Sequence, residues 1–286
     1  MKRTIFALAT YTLLLLSFVF VACYSDFDSA GDSDLVVEGW IDSGRFPVVV
    51  LSHTVPISDE YRPTSSLDDY IERWARVTVS DGEREVVLTG KPDNDYFPPY
   101  IYTTSDLRGV SGRTYKLTVD CPDGAHAEAS TTIPAVAAID SFAVECVPDA
   151  DSLRQLYVFV GGEHRFDGYY KVFTHVQGSP YGYLPSYLGI ASGRQLSSDG
   201  RIPVNPGRTN VESDFDTYFA VGDTVMVKLA RIDSCAYNFW RDFEDMVPLS
   251  RNPLFPVTVN LPSNVSGALG YWFGYGSAFA TVIVRP

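Results

Sequence analysis

The sequence predicts a mostly β protein: an N-terminal immunoglobulin-like β-sandwich followed by a second β-rich domain with one amphipathic helix. Three observations predict it. Apolar and polar residues alternate with period 2 in short runs bounded by Gly, Pro, Asp and Ser. The chain holds 22 Gly, 18 Pro, 18 Tyr and 17 Phe against only 3 Met, a profile that suits strands and turns better than helix bundles. After Asp233 the apolar spacing changes to threes and fours, which marks a helix.

The first segment stands outside that fold. Lys2 and Arg3 precede a largely apolar run, Ile5 to Val21, too short and wrongly flanked for a comfortable membrane span of roughly 20 residues. Residues 1–22 therefore read as a secretory leader. Small Ala22 directly before Cys23 resembles the lipobox of bacterial lipoproteins, with Phe20 where that pattern prefers Leu. The resemblance implies that Cys23 becomes a lipidated N-terminus; the alternative is an ordinary signal peptide followed by a chance cysteine. Each buried methylene contributes about 0.8 kcal/mol, so the two or more acyl chains of a lipoprotein anchor stably where one would not. Residues 23–33 form an acidic tether. Within it Asp26 and Asp28 resemble the export signal that carries Bacteroidetes lipoproteins to the cell surface; a solvated spacer is the other reading.

Residues 34–134 carry the sandwich signals. "LVVEGWI" (35–41) is a β-rich run closed by Asp42, Ser43 and Gly44, and "PVVVLSHTVPI" (47–57) puts Val49, Leu51, His53 and Val55 on one strand face. Ala75, Val77 and Val79 alternate with polar neighbours up to Asp81-Gly82, a pair that tolerates the positive φ of a tight turn, and residues 85–89 return as the hairpin partner. Tyr115, Leu117 and Val119 repeat the pattern, Pro122-Asp123-Gly124 turns, and residues 125–133 return. Six or seven short strands in about a hundred residues suit a sandwich. The boundary is expected near Pro134 to Ala138.

The second domain, 138–286, opens with apolar and aromatic strand runs at 141–147, 155–161 and 168–176. From 177 to 210 periodicity fades amid Gly, Ser and Pro, which predicts a long loop carrying Tyr181, Tyr183 and Tyr187. Strand signal returns over 215–232. Ala236, Phe239, Trp240, Phe243, Met246 and Val247 then form the stripe of a helix stopped by Pro248. Near the end, Tyr271, Phe273 and Tyr275 share a strand face with Trp272 opposite, their intervening glycines permit close backbone approach, and 279–284 makes a final strand.

Charge narrows the function. The 286-residue chain has a formal net charge of −13, and loss of Lys2 and Arg3 with the leader makes it −15. So acidic a chain repels phosphate backbones, and nucleic-acid binding is excluded on that ground. Beyond Cys23 the cysteines are Cys121, Cys146 and Cys235; an oxidising compartment permits one disulfide, but the pairing is not readable from sequence.

The order of lipobox, "LVVEGWID", "ARVTVSDG", "GRTYKLTV", "ASTTIPA", "RIDSCAYNFW" and the terminal "SNVSGALGYWFGYGSA" resembles the domain of unknown function 4249 family of Bacteroidetes outer-membrane lipoproteins. That resemblance covers nearly all of the mature chain. It implies an outer-membrane location and a neighbourhood of TonB-dependent transporters, and it supplies no catalytic residue.

The residues themselves point the same way. No G-x-S-x-G, H-E-x-x-H, Walker or C-x-x-C pattern occurs. Asp93-Asn94-Asp95 and Asp149-Ala150-Asp151-Ser152 lack the spacing of a calcium loop, so no metal and no cofactor are expected. Of four histidines, His53 sits on an apolar strand face, and His126 and His175 have no nucleophile pattern beside them. His164 with Glu163 and Asp167, in "GGEHRFDGYY", is the one cluster where catalytic groups could converge, against the plainer reading of a charged turn. Tyr181, Tyr183 and Tyr187 are the candidate ligand or partner contacts, since tyrosine offers a wide apolar face with a polar tip. The expectation is a surface lipoprotein acting as a binding or accessory component beside a TonB-dependent transporter. The alternative is a carboxylate-dependent, glycan-active hydrolase.

Overall fold

Alternation in the sequence becomes alternation in burial. The computed structural model describes residues 34–54, 68–163, 165–207, 217–249 and 261–286, and the described residues hold seventeen strands and one α-helix, so the protein is mostly β. In β1 (Leu35–Asp42), Leu35, Val37 and Ile41 are buried on one face while Glu38 and Trp40 look the other way. β2 (Val48–His53) pairs antiparallel with β1. β3 (Arg76–Ser80) and β4 (Glu85–Val87) form the expected hairpin, with Gly82 at φ 86° in its turn. β5 (Thr89–Pro92) and β6 (Tyr100–Thr103), which the sequence signals did not mark, extend the sheet of β1 and β2. β7 (Thr114–Asp120) and β8 (His126–Thr132) pair as expected.

The rest of the chain supplies β9 (Ile139–Val147), β10 (Ala150–Val160), β11 (Tyr169–Val176), β12 (Leu184–Ser192), β13 (Arg201–Val204), β14 (Phe219–Ala220) and β15 (Thr224–Ile232). Then come α1 (Ser234–Leu249), β16 (Val265–Ser266) and β17 (Leu269–Ile283). Two expectations change here. The stretch read as a long loop contains β12 and β13; β12 runs along β11 past a bulge between Lys171 and Phe173, so its conformation comes from its neighbour and not from a local pattern. The last strand also starts ten residues before Phe279. Asp233 caps α1, its carboxylate accepting the Ala236 N–H at 2.8 Å.

An eight-stranded sheet, β12-β11-β15-β17-β1-β2-β6-β5, organises the molecule, with β1 and β17 parallel at its middle. One face carries two smaller sheets. β16-β8-β7-β3-β4 encloses one apolar core with β1 and β2, and the sheet of β13, β10, β14 and β9 encloses another with β11 and β15. The opposite face is covered in part by α1, whose Ala236, Phe239 and Trp240 pack on Phe173, Tyr271, Phe273 and Tyr275.

The division expected at 134–138 is therefore not a division of the sheets. Asp34–Pro286 form one compact unit. β17 pairs with β1, and its Trp272, fully buried, fills the core of the first half, donating its indole N–H to the Tyr115 carbonyl at 3.0 Å. Glycine makes that packing possible: a Cβ on Gly39 would stand 2.8 Å from the Trp272 ring, and one on Gly274 would stand 2.9 Å from the backbone at Thr132 and Ile133.

Candidate functional site

The uncovered part of the sheet's outer face, beside α1, forms a cavity of about 410 Å³. Strand alternation aims its lining. From β1 come Glu38, Trp40 and Asp42; from β2 and β6, Val48, Val50 and Ile101; from β15, Lys228; and from β17, Tyr271, Tyr275 and Phe279. The Asp93–Phe97 loop and Tyr183 to Pro185 complete the wall, and the Gly182 N–H joins the two by donating to the Asp95 carbonyl at 2.7 Å. Trp40 and Tyr96 meet with ring centroids 5.9 Å apart.

Lys228 is the most constrained charge. It is 4% exposed, its ammonium meets both carboxylate oxygens of Asp42 at 2.7 and 2.8 Å, and it lies 4.6 Å from the ring centroids of both Phe173 and Tyr275. Burial pulls the ammonium below its ordinary range, and the Asp42 charge opposes that pull. The Ser277 hydroxyl donates to the same carboxylate. Asp42 is thus satisfied from two sides.

Glu38 is the contrast. Its cross-strand neighbours are Val50 and Tyr271, and its carboxyl makes no hydrogen bond or ion pair with the described residues. Burial without a counter-charge pushes it up to about 7. Arg45, past the turn at the far end of β1, lays its guanidinium 4.3 Å from the Phe279 ring centroid and likewise has no carboxylate partner among the described residues. Among the described residues, one cavity therefore presents Glu38 and the exposed Asp95 as unpaired carboxyls and the exposed Arg45 as an unpaired cation, around an aromatic and aliphatic floor. Such a mix of apolar lining with a few convergent polar groups suits a small-molecule site.

The second buried pair sits behind α1. Lys171, wholly buried, donates to the Ser186 carbonyl at 2.8 Å and to Glu244 of the helix. Burial lowers the lysine and raises the glutamate, while their mutual attraction opposes both shifts.

Of the residues marked from sequence, Tyr183 lines the cavity, its ring 5.7 Å from that of Phe279. Tyr181 and Tyr187 do not line it: the Tyr181 carbonyl accepts the His175 Nδ1–H at 2.6 Å, and the Tyr187 carbonyl accepts the Asn205 amide at 2.7 Å. Glu163 and Asp167 are exposed and away from the cavity, and His164 lies outside the described residues. So do Cys23, Asp26 and Asp28. His53 meets Glu72 at 3.4 Å and His126 meets Asp120 at 2.8 Å. Cys121, Cys146 and Cys235 are free. Among the described residues no three His, Cys, Asp or Glu side chains converge on a metal-sized space, and no helix is long and apolar enough to cross a membrane.

Sequence reasoning missed Glu38, Asp42, Arg45 and Lys228. One signal was present: a lone lysine in "TVMVKLARI" interrupts an apolar run, and a lysine in a two-sided core must find a carboxylate. Nothing local pointed to which one, since Asp42 lies 186 residues away.

A search of curated proteins finds no match to the chain. Residues 24–279, the span that contains every residue lining the cavity, match the family model described as Domain of unknown function (DUF4249), and the chain belongs to that family.

Proposed function

We propose that this chain is a lipid-anchored binding protein of the bacterial outer membrane, exposed at the cell surface, which holds a small ligand in the cavity beside α1 and serves a TonB-dependent transporter. The observation that carries the binding role is the cavity itself: about 410 Å³, aromatic-floored, with Glu38 and Arg45 both lacking an ion-pair partner among the described residues. Its lining comes mainly from strands of the central sheet, which hold the groups in place before a ligand arrives. The anchor is supported by Ala22-Cys23 after a basic and apolar leader.

A second reading, glycan hydrolysis, draws on Glu38 alone, whose raised carboxyl is what a general acid needs. The reaction also needs a second free carboxylate at roughly 5–9.5 Å. Asp42 is held by Lys228 and Ser277, and Asp93 by Lys91 at 3.0 Å; the remaining lining carboxylate, Asp95, is solvent-exposed and no contact gives it the role of a base or nucleophile, so binding is the better-supported role.

The test pairs a thermal-shift screen of short peptides and oligosaccharides with a plugged variant, Leu184→Trp, at the cavity wall. Ligands that raise the melting temperature of the wild type and not of the plugged variant are the expected result. A hit list identical for both proteins removes the cavity from the function. For location, Cys23→Ala is expected to release the protein from the membrane fraction, and retention there overturns the anchor.

A further inference from the structure

We propose that the cavity takes a short peptide as a zwitterion, its N-terminal ammonium seated on Glu38 between Trp40 and Tyr271 and its C-terminal carboxylate held by Arg45 at the mouth. This rests on the cavity being the ligand site.

When the paired charges are set aside, Glu38, Arg45 and the exposed Asp95 remain, and Glu38 and Arg45 are the poles of opposite sign. Lys228 and Asp42 neutralise each other at 2.7 Å, and Lys91 and Asp93 at 3.0 Å. Glu38 has no partner among the described residues, and the rings of Trp40 and Tyr271 flank it on the same sheet face, where their π surfaces favour a cation. Desolvation keeps its carboxyl protonated up to about pH 7, and an incoming ammonium supplies the missing counter-charge. Arg45 is pre-oriented by its stack on Phe279, which leaves the guanidinium fork free to grip a carboxylate with two parallel hydrogen bonds.

Spacing sets the size of the guest. Four residues of β1 separate Glu38 from Asp42, about 13 Å at 3.3 Å per residue, and the Arg45 N–H closes the turn onto the Asp42 carbonyl at 3.1 Å. An extended peptide advances roughly 3.3–3.6 Å per residue, so two to four residues bridge the poles once the reach of both side chains is allowed for. Between them lie Val48, Val50, Ile101, Trp40 and Tyr96, a floor for apolar or aromatic side chains. A neutral sugar would leave Glu38 without a counter-charge, and a phosphorylated ligand would meet the unpaired Asp95 as a like charge.

Calorimetric titration tests this with the tripeptide alanyl-phenylalanyl-alanine, its N-acetyl derivative, its C-terminal amide, and maltotriose as a neutral probe. The zwitterion is expected to bind the wild type, with N-acetylation and amidation each weakening it at least tenfold. Glu38→Gln should weaken the zwitterion and abolish the penalty of N-acetylation, and Arg45→Met should do the same for amidation. The derivatised peptides on unaltered protein keep the result decisive even if a variant folds poorly. Absence of tripeptide binding, or binding indifferent to both end groups, overturns the peptide assignment. If maltotriose then binds and Leu184→Trp abolishes it, the cavity reading stands without the peptide; full-strength tripeptide binding to Leu184→Trp removes both.

Discussion

Glu38 and Lys228 share one cavity and have opposite histories. Lys228 was buried with a carboxylate waiting for it; Glu38 was left facing the cavity with neighbours Val50 and Tyr271 and no cation among the described residues. The consequence for stability has a definite sign. A carboxyl whose folded value is raised to about 7 from 4.5 keeps its proton in the native state after the unfolded chain has lost it. Its contribution is complete below about pH 4.5 and is lost as pH rises to about 7. Glu38→Gln removes that dependence, so urea titrations should show the variant gaining on the wild type between pH 5 and pH 8, by about 2–3 kcal/mol. A difference that stays flat with pH would mean that Glu38 ionises normally. Tyr183 carries the second residue-level expectation. It lines the cavity where Tyr181 and Tyr187 do not, so Tyr183→Ala should weaken a cavity ligand by roughly 2 kcal/mol, about thirtyfold, and alanine at the other two positions should leave affinity unchanged in the same titration.

At the scale of elements, α1 is held to the sheet by aromatic packing and by one buried ion pair. Phe239 and Trp240 supply most of the contact, and the Trp240 N–H donates to the Tyr275 hydroxyl at 3.1 Å. Lys171 and Glu244 add little net stability as a pair, because desolvating both charges opposes most of their attraction. Removing one partner strands the other: Lys171→Met should destabilise by about 3–5 kcal/mol, whereas Lys171→Met with Glu244→Leu should restore most of the loss. Equilibrium denaturation of the three proteins decides it, and additive losses would show that the pair is not coupled. The helix was legible because the Ala236, Phe239, Trp240, Phe243 stripe is a local pattern. β12 was not legible, because Pro185 and Gly189 argue against a strand locally and only pairing with β11 across a bulge overrides them.

For the whole molecule, the parallel pairing of β1 with β17 ties the ends of the described fold together. The core between the long sheet and the β16-β8-β7-β3-β4 sheet is closed by Trp272, whose backbone N–H and carbonyl are both held by the Asn264 side chain at 2.9 and 2.8 Å. Trp272→Ala should therefore destabilise by about 3–5 kcal/mol, and a fragment of residues 34–134 should lack the sharp thermal transition that the full chain shows. A cooperatively folding fragment would restore the two-domain organisation. The sequence by itself determined the mostly β class, the hairpins at Asp81-Gly82 and Pro122-Asp123-Gly124 and the helix, because alternation, turn chemistry and apolar periodicity act between residues a few positions apart, and the family through the joint order of its motifs. Only the tertiary structure decided that two apolar cores share one sheet, that Asp42 neutralises Lys228, and that Glu38 and Arg45 face one cavity. Those outcomes depend on which distant strand lies alongside which, and strand pairing is set by the burial of whole faces, which no local pattern encodes.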